Sequence, residues 1–507
     1  MPSWIERSQP GGQRKPRLGA IWILGACLLT IAGCAAGPDY RRPETAMPAA
    51  WSGLSSATAS EASKTTPSEA ILIEWWQIFN DPVLTHLVER AIKANLDIRL
   101  AEARVRQARA SRGVVAAGLW PTIDTLATYR TSRSGASSSG TSGTNAASGS
   151  TGTGPFGGSS GGTRDLFQVG LDAAWELDIF GGVRRNIEAS DADIQAAVED
   201  RRDVLVSLVA ELGTDYLSLR GFQQQIDIAR RNLNSQQYTA EITRRRHEAG
   251  FVSGLDEANA YALVASTKSQ IPVLESSAQA AIYSLSILLG LQPAALASEL
   301  VTPMPIPPTP PEVPVGLPSE LLRRRPDIRK AEAQVHAATA SIGVATADLF
   351  PKFSLTGSLG LTGNQFLSVA NWSSRFWGFG PTVSWPIFDA GRIRWNIEVQ
   401  NALQEQTLLA YEKTILTALK DVETALVAYA KEQERRGYLS EEVEYNRKAA
   451  DLSMKLYVAG KTDFLNVLTA QRSQYISEEA LVLSTRTLST NLIALYKALG
   501  GGWENQP

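Results

Sequence analysis

Between residues 167 and 179, apolar Phe167, Val169, Leu171, Ala173, Trp175, Leu177 and Ile179 alternate with Gln168, Asp172, Glu176 and Asp178. A period of two predicts a strand with one apolar and one polar face. From about Val183 to Glu248 the spacing changes to alternating threes and fours, carried by Ile187, Ile194, Val198, Leu205, Leu208, Leu212, Tyr216 and Leu219, with no proline. That is coiled-coil-like spacing, and it predicts a helix roughly 100 Å long. No compact soluble domain needs such a helix. Ala249, Gly250, Phe251, Val252 and Ser253 interrupt the pattern, and a second helix runs to about Leu289. Short connections make neighbouring helices antiparallel, so a long hairpin is predicted with Gly250 at its tip.

The chain carries this plan twice. Residues 175–188, WELDIFGGVRRNIE, recur as residues 385–398, WPIFDAGRIRWNIE, at a shift of 210. The second stripe, Leu408, Ile415, Leu419, Val422 and Leu426, answers Val198, Leu205, Val209, Leu212 and Tyr216; Gly460 answers Gly250, and Gly500 answers Gly290. Upstream, Asp327-Ile328-Arg329 and Ala331-Glu332-Ala333 repeat Asp97-Ile98-Arg99 and Ala101-Glu102-Ala103 at a shift of 230, as Phe350-Pro351 repeats Trp120-Pro121. In the first copy a helix is predicted from Asp81-Pro82, with proline in the first turn, to about Gly118, stopped by Trp120-Pro121. A weak strand follows over residues 122–130. Residues 131–163 are almost all Ser, Gly, Thr and Ala, with Arg133 the only charge; they account for the 20-residue change of shift and are read as a mobile loop. In the second copy Phe353, Leu355, Leu359 and Leu361 alternate on one strand, and Trp377, Phe379, Val383, Trp385 and Ile387 on the next.

The predicted fold is therefore membrane α+β with an internal duplication. Each repeat offers two amphipathic strands of about ten residues, the length that crosses an outer membrane at a tilt. Four strands cannot close a barrel, and an open edge in lipid leaves backbone groups unpaired at several kcal/mol each. Several chains must then share one barrel, continued by the long helices. A soluble β-structure would show the same alternation; the long helices, the leader described next and the lack of another core favour the membrane.

Arg14, Lys15 and Arg17 precede an apolar run over residues 18–31, too short to span a bilayer and flanked like a secretory signal. Ile31-Ala32-Gly33-Cys34 looks like a bacterial lipobox, in which cleavage leaves lipidated Cys34 first; Leu24-Gly25-Ala26-Cys27 competes, but with a shorter apolar run. The expected organisation is a signal peptide at 1–33, a lipid-anchored tether at 34–80, a first repeat at 81–291, a proline-rich linker at 292–318, a second repeat at 319–500 and a tail at 501–507. At 44% hydrophobic and 20% charged residues, the chain is neither disordered nor packed with membrane helices. Removing the leader takes Glu6 and the bases Arg7, Arg14, Lys15 and Arg17, leaving a mildly acidic chain with no long basic tract, which argues against nucleic acid. Both cysteines lie in the leader region, so no disulfide or cysteine-based metal site is expected after cleavage. His86, His247 and His336 are isolated and read as surface residues, no catalytic or phosphate-binding motif occurs, and neither enzyme activity nor a cofactor or metal is expected. Residues 432–436 read as a solvated helix face, and Trp75-Trp76 as packing of the N-terminal segment on the helices.

Residues 317–355, LPSELLRRRPDIRKAEAQVHAATASIGVATADLFPKFSL, and 457–480, YVAGKTDFLNVLTAQRSQYISEEA, resemble the outer-membrane factor family of tripartite efflux systems, as does CAAGPDY at 34–40. The likeness covers nearly the whole mature chain and is nearest the lipoproteins that serve resistance–nodulation–division pumps. It implies a homotrimer with a twelve-stranded barrel in the outer membrane and a helical barrel crossing the periplasm, joined by an adaptor protein to an inner-membrane pump. Ala35 after the cysteine fits outer-membrane sorting. The tips Ala249, Gly250, Phe251 and Ala459, Gly460, Lys461 match the apex where the adaptor docks, though a plain interhelical turn needs the same glycines. The resemblance also implies a periplasmic mouth closed by links between helices near the tips. Asp256, Tyr457, Asp463 and Asn466 are the gate candidates, with Lys461 or Arg245 as partners for Asp256. Thr462 stands where some members carry a base, and Asn466 and Thr469 where others carry aspartates. Asp256 equally suits the positive end of a helix.

The leading function is thus a passive exit duct for small toxic compounds. A protein-secretion duct of the same architecture is the alternative within transport. From another class comes a lipid-anchored coiled-coil adaptor or adhesin, which would be soluble once lipidation is blocked.

Overall fold

The computed structural model describes residues 35–52, 64–66, 74–133, 163–310 and 312–503. The leader, Cys34 and residues 134–162 of the Ser/Gly stretch lie outside the described residues. The described residues fall into two compact units, one made of residues 35–39, 112–133, 163–189 and 339–402, the other of residues 40–52, 64–66, 74–111, 190–310, 312–338 and 403–503.

The first unit holds four strands, β1 (Thr122–Arg133), β2 (Thr163–Leu177), β3 (Lys352–Gly363) and β4 (Arg375–Ser384). They form one antiparallel sheet in the order β1-β2-β3-β4. β1 extends to Arg133, so the first residues of the expected loop are strand. Two indoles anchor the sheet alike: Trp175 Nε1 donates to the Leu119 carbonyl at 2.9 Å, and Trp385 Nε1 to that of Leu349 at 3.0 Å.

The helices longer than two turns are α1 (Pro82–Ala94), α2 (Leu96–Ala117), α3 (Gly182–Glu248), α4 (Gly254–Leu288), α5 (Pro326–Ala347), α6 (Arg392–Val458) and α7 (Phe464–Ala498). α3 and α6 are each 67 residues long, and α4 and α7 each 35. A carboxylate caps each of the two 67-residue helices at its amide-rich start. Asp178 accepts from the Val183 and Arg184 amides at 3.1 and 2.9 Å. Asp389 accepts from those of Gly391 and Ile393 at 3.0 and 2.9 Å. The bond from Ile393 leads in holding the Asp389 carboxyl below its ordinary range.

The single helix expected over residues 81–118 is two helices broken at Asn95, whose backbone is extended. Its Oδ1 caps α2 through the Asp97 and Ile98 amides, while Nδ2 donates to the Leu288 carbonyl at 2.9 Å. In the second half Arg325, also extended, donates to the Ala498 carbonyl at 3.0 Å.

The core of the second unit gathers Leu84, Leu87, Val88 and Ala91 of α1, Leu212 and Tyr216 of α3, Val422 and Tyr429 of α6, and Leu492 and Tyr496 of α7. Trp75 is buried there, stacked on Tyr496 at 5.6 Å. The segments expected as tether and linker are stitched down: residues 64–66 pair in parallel with 312–314, and buried Trp51 donates to the Gly316 carbonyl. His336, expected at the surface, is partly buried and stacks on Tyr40 at 4.3 Å.

Asp81 ties entry and core together. It caps α1 through the Val83 and Leu84 amides, and its second oxygen accepts from the buried Tyr216 hydroxyl at 2.5 Å. Asp81→Ala is expected to cost about 1 kcal/mol for the cap and about 1–3 kcal/mol for the orphaned hydroxyl. Asp81→Asn should retain most of both. Thermal unfolding in detergent checks this; equal midpoints for Asp81→Ala and wild type would refute the double role.

Candidate channel wall and hairpin tips

Register assigns every strand residue to a face, because side chains alternate along a strand and directly paired residues share a side. The cross-strand rows run Ile123–Ala173–Gly357–Phe379, Thr125–Leu171–Leu359–Trp377 and Ala127–Val169–Leu361–Arg375. Trp175–Leu355–Pro381 and Leu177–Phe353–Val383 complete this apolar side. The opposite side has rows Asp124–Asp172–Ser358–Gly378 and Thr128–Gln168–Thr362, with Glu176–Ser354–Thr382 beside them. Away from Asp165, Arg133 and Arg375 at one end, the apolar face carries no charge. Its large side chains lie open in the single chain, Trp377 73% exposed and Phe379 77%. The edges of β1 and β4 have no partner strand among the described residues.

In the second unit the two hairpin tips have one geometry. The Gly250 and Phe251 amides bond back to the His247 and Arg246 carbonyls, and those of Gly460 and Lys461 to the Tyr457 and Leu456 carbonyls. This double bond pattern closes a helix through a left-handed residue, and Gly250 and Gly460 have φ of 78° and 70°. Ser253 and Asp463, which open α4 and α7, share φ −79° and ψ 157°.

The gate candidates occupy different settings. Asp256 is in a capping box: its amide bonds Ser253 Oγ and its carboxylate accepts the Ser253 amide at 3.2 Å. Arg245, an expected partner for Asp256, instead meets Glu241 at 2.8 Å. Bonds from Arg244 and Arg245 pull the Glu241 carboxyl down to about 2. Tyr457 is buried, donates to Thr243 Oγ1 at 3.4 Å, and lies under the Arg246 guanidinium at 4.5 Å. It packs with Phe464, Val467, Ala240, Ala260 and Val264 in a cluster shared by both hairpins. Asp463 is exposed at the start of α7, and exposed Asn466 donates to Thr462 Oγ1 at 2.8 Å. Lys461 is exposed, as is Phe251 at 76%.

Two features escaped the sequence reading. Leu255 and Leu465 are 68% and 64% exposed, each five residues beyond a tip glycine; the repeat shift alone marks them as a matched pair. Higher on the hairpins, buried Glu478 accepts from Arg447 at 2.6 Å, Asn232 at 3.0 Å and Gln474 at 3.2 Å. Burial pushes its carboxyl up, but those three donors outweigh burial and leave it below the ordinary range. Gln471 bonds Thr239 nearby, at 2.8 Å.

A profile of outer membrane efflux proteins matches residues 87–291 and 317–501. The chain belongs to the outer membrane efflux protein family. It is 35% identical to the pyoverdine export outer membrane protein OpmQ of Pseudomonas aeruginosa, across 95% of this chain and 97% of that one. To outer membrane protein OprJ of the same species it is 32% identical, across 97% of each. The solved outer-membrane channel OprN superposes with a TM-score of 0.81 at 38% identity, covering 93% of this chain and all of the other. Membership makes the chain an outer-membrane efflux channel, a transport protein.

Proposed function

We propose that three copies of the chain close twelve strands into one barrel and act as the passive exit duct of a tripartite pump. The four-stranded sheet with one lipid-compatible face and two open edges carries this reading. A third of a barrel removes its edges only by joining other copies, since unpaired backbone groups in hydrocarbon cost several kcal/mol each. The matched 67- and 35-residue helices support an internal duplication and a helical tube crossing the periplasm. Gly250 with Phe251 and Leu255, and Gly460 with Lys461 and Leu465, are the surfaces offered to a periplasmic adaptor that brings the inner-membrane pump. Tyr457, Asp256, Asp463 and Asn466 hold the resting mouth closed. Relatives are named for export of pyoverdine and of toluene; such unlike cargoes favour substrate choice in the pump, and small toxic compounds as the cargo here.

Cys34 carries the lipid. One acyl chain binds a membrane only marginally, so multiple acylation and the barrel together retain the protein. Cys34→Ala is expected to remove the acyl mass from the N-terminal peptide, while the folded trimer still requires detergent. A stable, detergent-free monomer from that variant would end the duct reading and favour an anchored coiled-coil protein. Cross-linking and bilayer conductance of the native protein test the trimer and the pore.

A further inference from the structure

We infer that the foot of the sheet contains a binding slot for the chain's own N-terminal segment, Ala35-Ala36-Gly37, and that this slot fixes where the anchor leaves the protein. The second clause rests on Cys34 being the lipidated residue.

The Ala36 amide donates to the Phe180 carbonyl at 2.9 Å, three residues past the end of β2. Arg185 Nε donates to the Ala36 carbonyl at 3.1 Å, and its Nη2 reaches Asp39 at 2.6 Å. The Arg185 side chain is itself only 7% exposed. The segment is thus held by both backbone groups of Ala36 and by a buried guanidinium.

Glycines define the slot. A Cβ added to Gly37, whose φ is 88°, would stand 2.4 Å from the Gly343 Cα. One added to Gly343 would stand 2.8 Å from the Ala36 carbonyl oxygen and from Arg185 Cγ. One on Gly181 would stand 2.9 Å from the Ala35 Cα. Real Cβ contacts do not come that close, so backbone meets backbone on two sides. Gly343 lies inside α5, where glycine is otherwise a poor choice by about 1 kcal/mol relative to alanine; close approach of the N-terminal segment supplies its reason. Phe180 and Phe350, stacked at 4.6 Å, lie at the same foot. Two residues reach at most roughly 7 Å, so a lipid on residue 34 would be separated from the slot by no more than that length.

Hydrogen exchange of the detergent-solubilised full protein tests the slot. The Ala36 amide should exchange at least roughly tenfold more slowly than an unstructured amide, since it opens only when the segment lifts. Gly343→Ala should abolish that protection while peptides of β2, β3 and α5 keep theirs. Gly37→Ala, placed outside every helix and strand, should do the same should Gly343→Ala perturb the fold. Fast exchange at Ala36 in the native protein, or unchanged protection in both variants, overturns the slot. Mass spectrometry of the N-terminal peptide separates the readings: protection without acyl mass on Cys34 removes the anchor clause and keeps the slot.

Discussion

Phe379→Arg is expected to remove nearly all folded protein from the outer membrane. Phe379 lies on the apolar side of β4, directly opposite Gly357, and no neighbour in its row carries a charge. Arginine at mid-depth on the lipid face of a membrane barrel costs about 2–4 kcal/mol per copy, and the proposed trimer would incur it three times. The matched control is Thr356→Arg, one residue from Gly357 in sequence and on the polar side, where water takes the charge. The amount of heat-modifiable trimer in outer-membrane fractions reads both variants. Loss of Thr356→Arg with survival of Phe379→Arg would mean that the two faces have been assigned the wrong way round.

Tyr457→Ala should produce the second large change, a higher resting conductance. Truncating a buried large aromatic side chain costs about 3–5 kcal/mol. Here it also removes the ring beneath Arg246 and empties the centre of the cluster joining the two hairpins. Tyr457→Phe keeps the ring and gives up only the 3.4 Å bond to Thr243, so it should stay near native. Planar-bilayer recordings, with uptake of a large antibiotic in cells, compare the three proteins. Should Tyr457→Ala conduct like native protein while retaining its trimer, the residue serves packing alone and the closed mouth depends on other contacts.

The strands and long helices were legible because their periods run uninterrupted for many residues. Register then added what alternation cannot give, namely which strands are neighbours and that all four point their apolar sides the same way. The break at Asn95 was hidden because Ala94-Asn95-Leu96 contains neither glycine nor proline. Its counterpart Arg325-Pro326 carries the proline that restricts the preceding residue. The tip glycines were readable, since a helix reversal needs a left-handed residue. Burial of Tyr457 and Glu478 was not, because an isolated side chain on a long helix gives no sign of what the next hairpin places against it. The N-terminal stretch after Cys34 read as a tether because its Ala, Pro and Thr content does not reveal the bonds made to it by Arg185 and Phe180.

The two tips share a backbone but not a surface: one ends in Phe251 and a serine cap, the other in Lys461 and Asp463. In the proposed trimer the apices would be of two kinds, one exposing Phe251 and the other Lys461, rather than six equivalent ones. A partner that engages both kinds of apex would need two different contact surfaces, one to receive the Phe251 ring and one to receive the Lys461 ammonium.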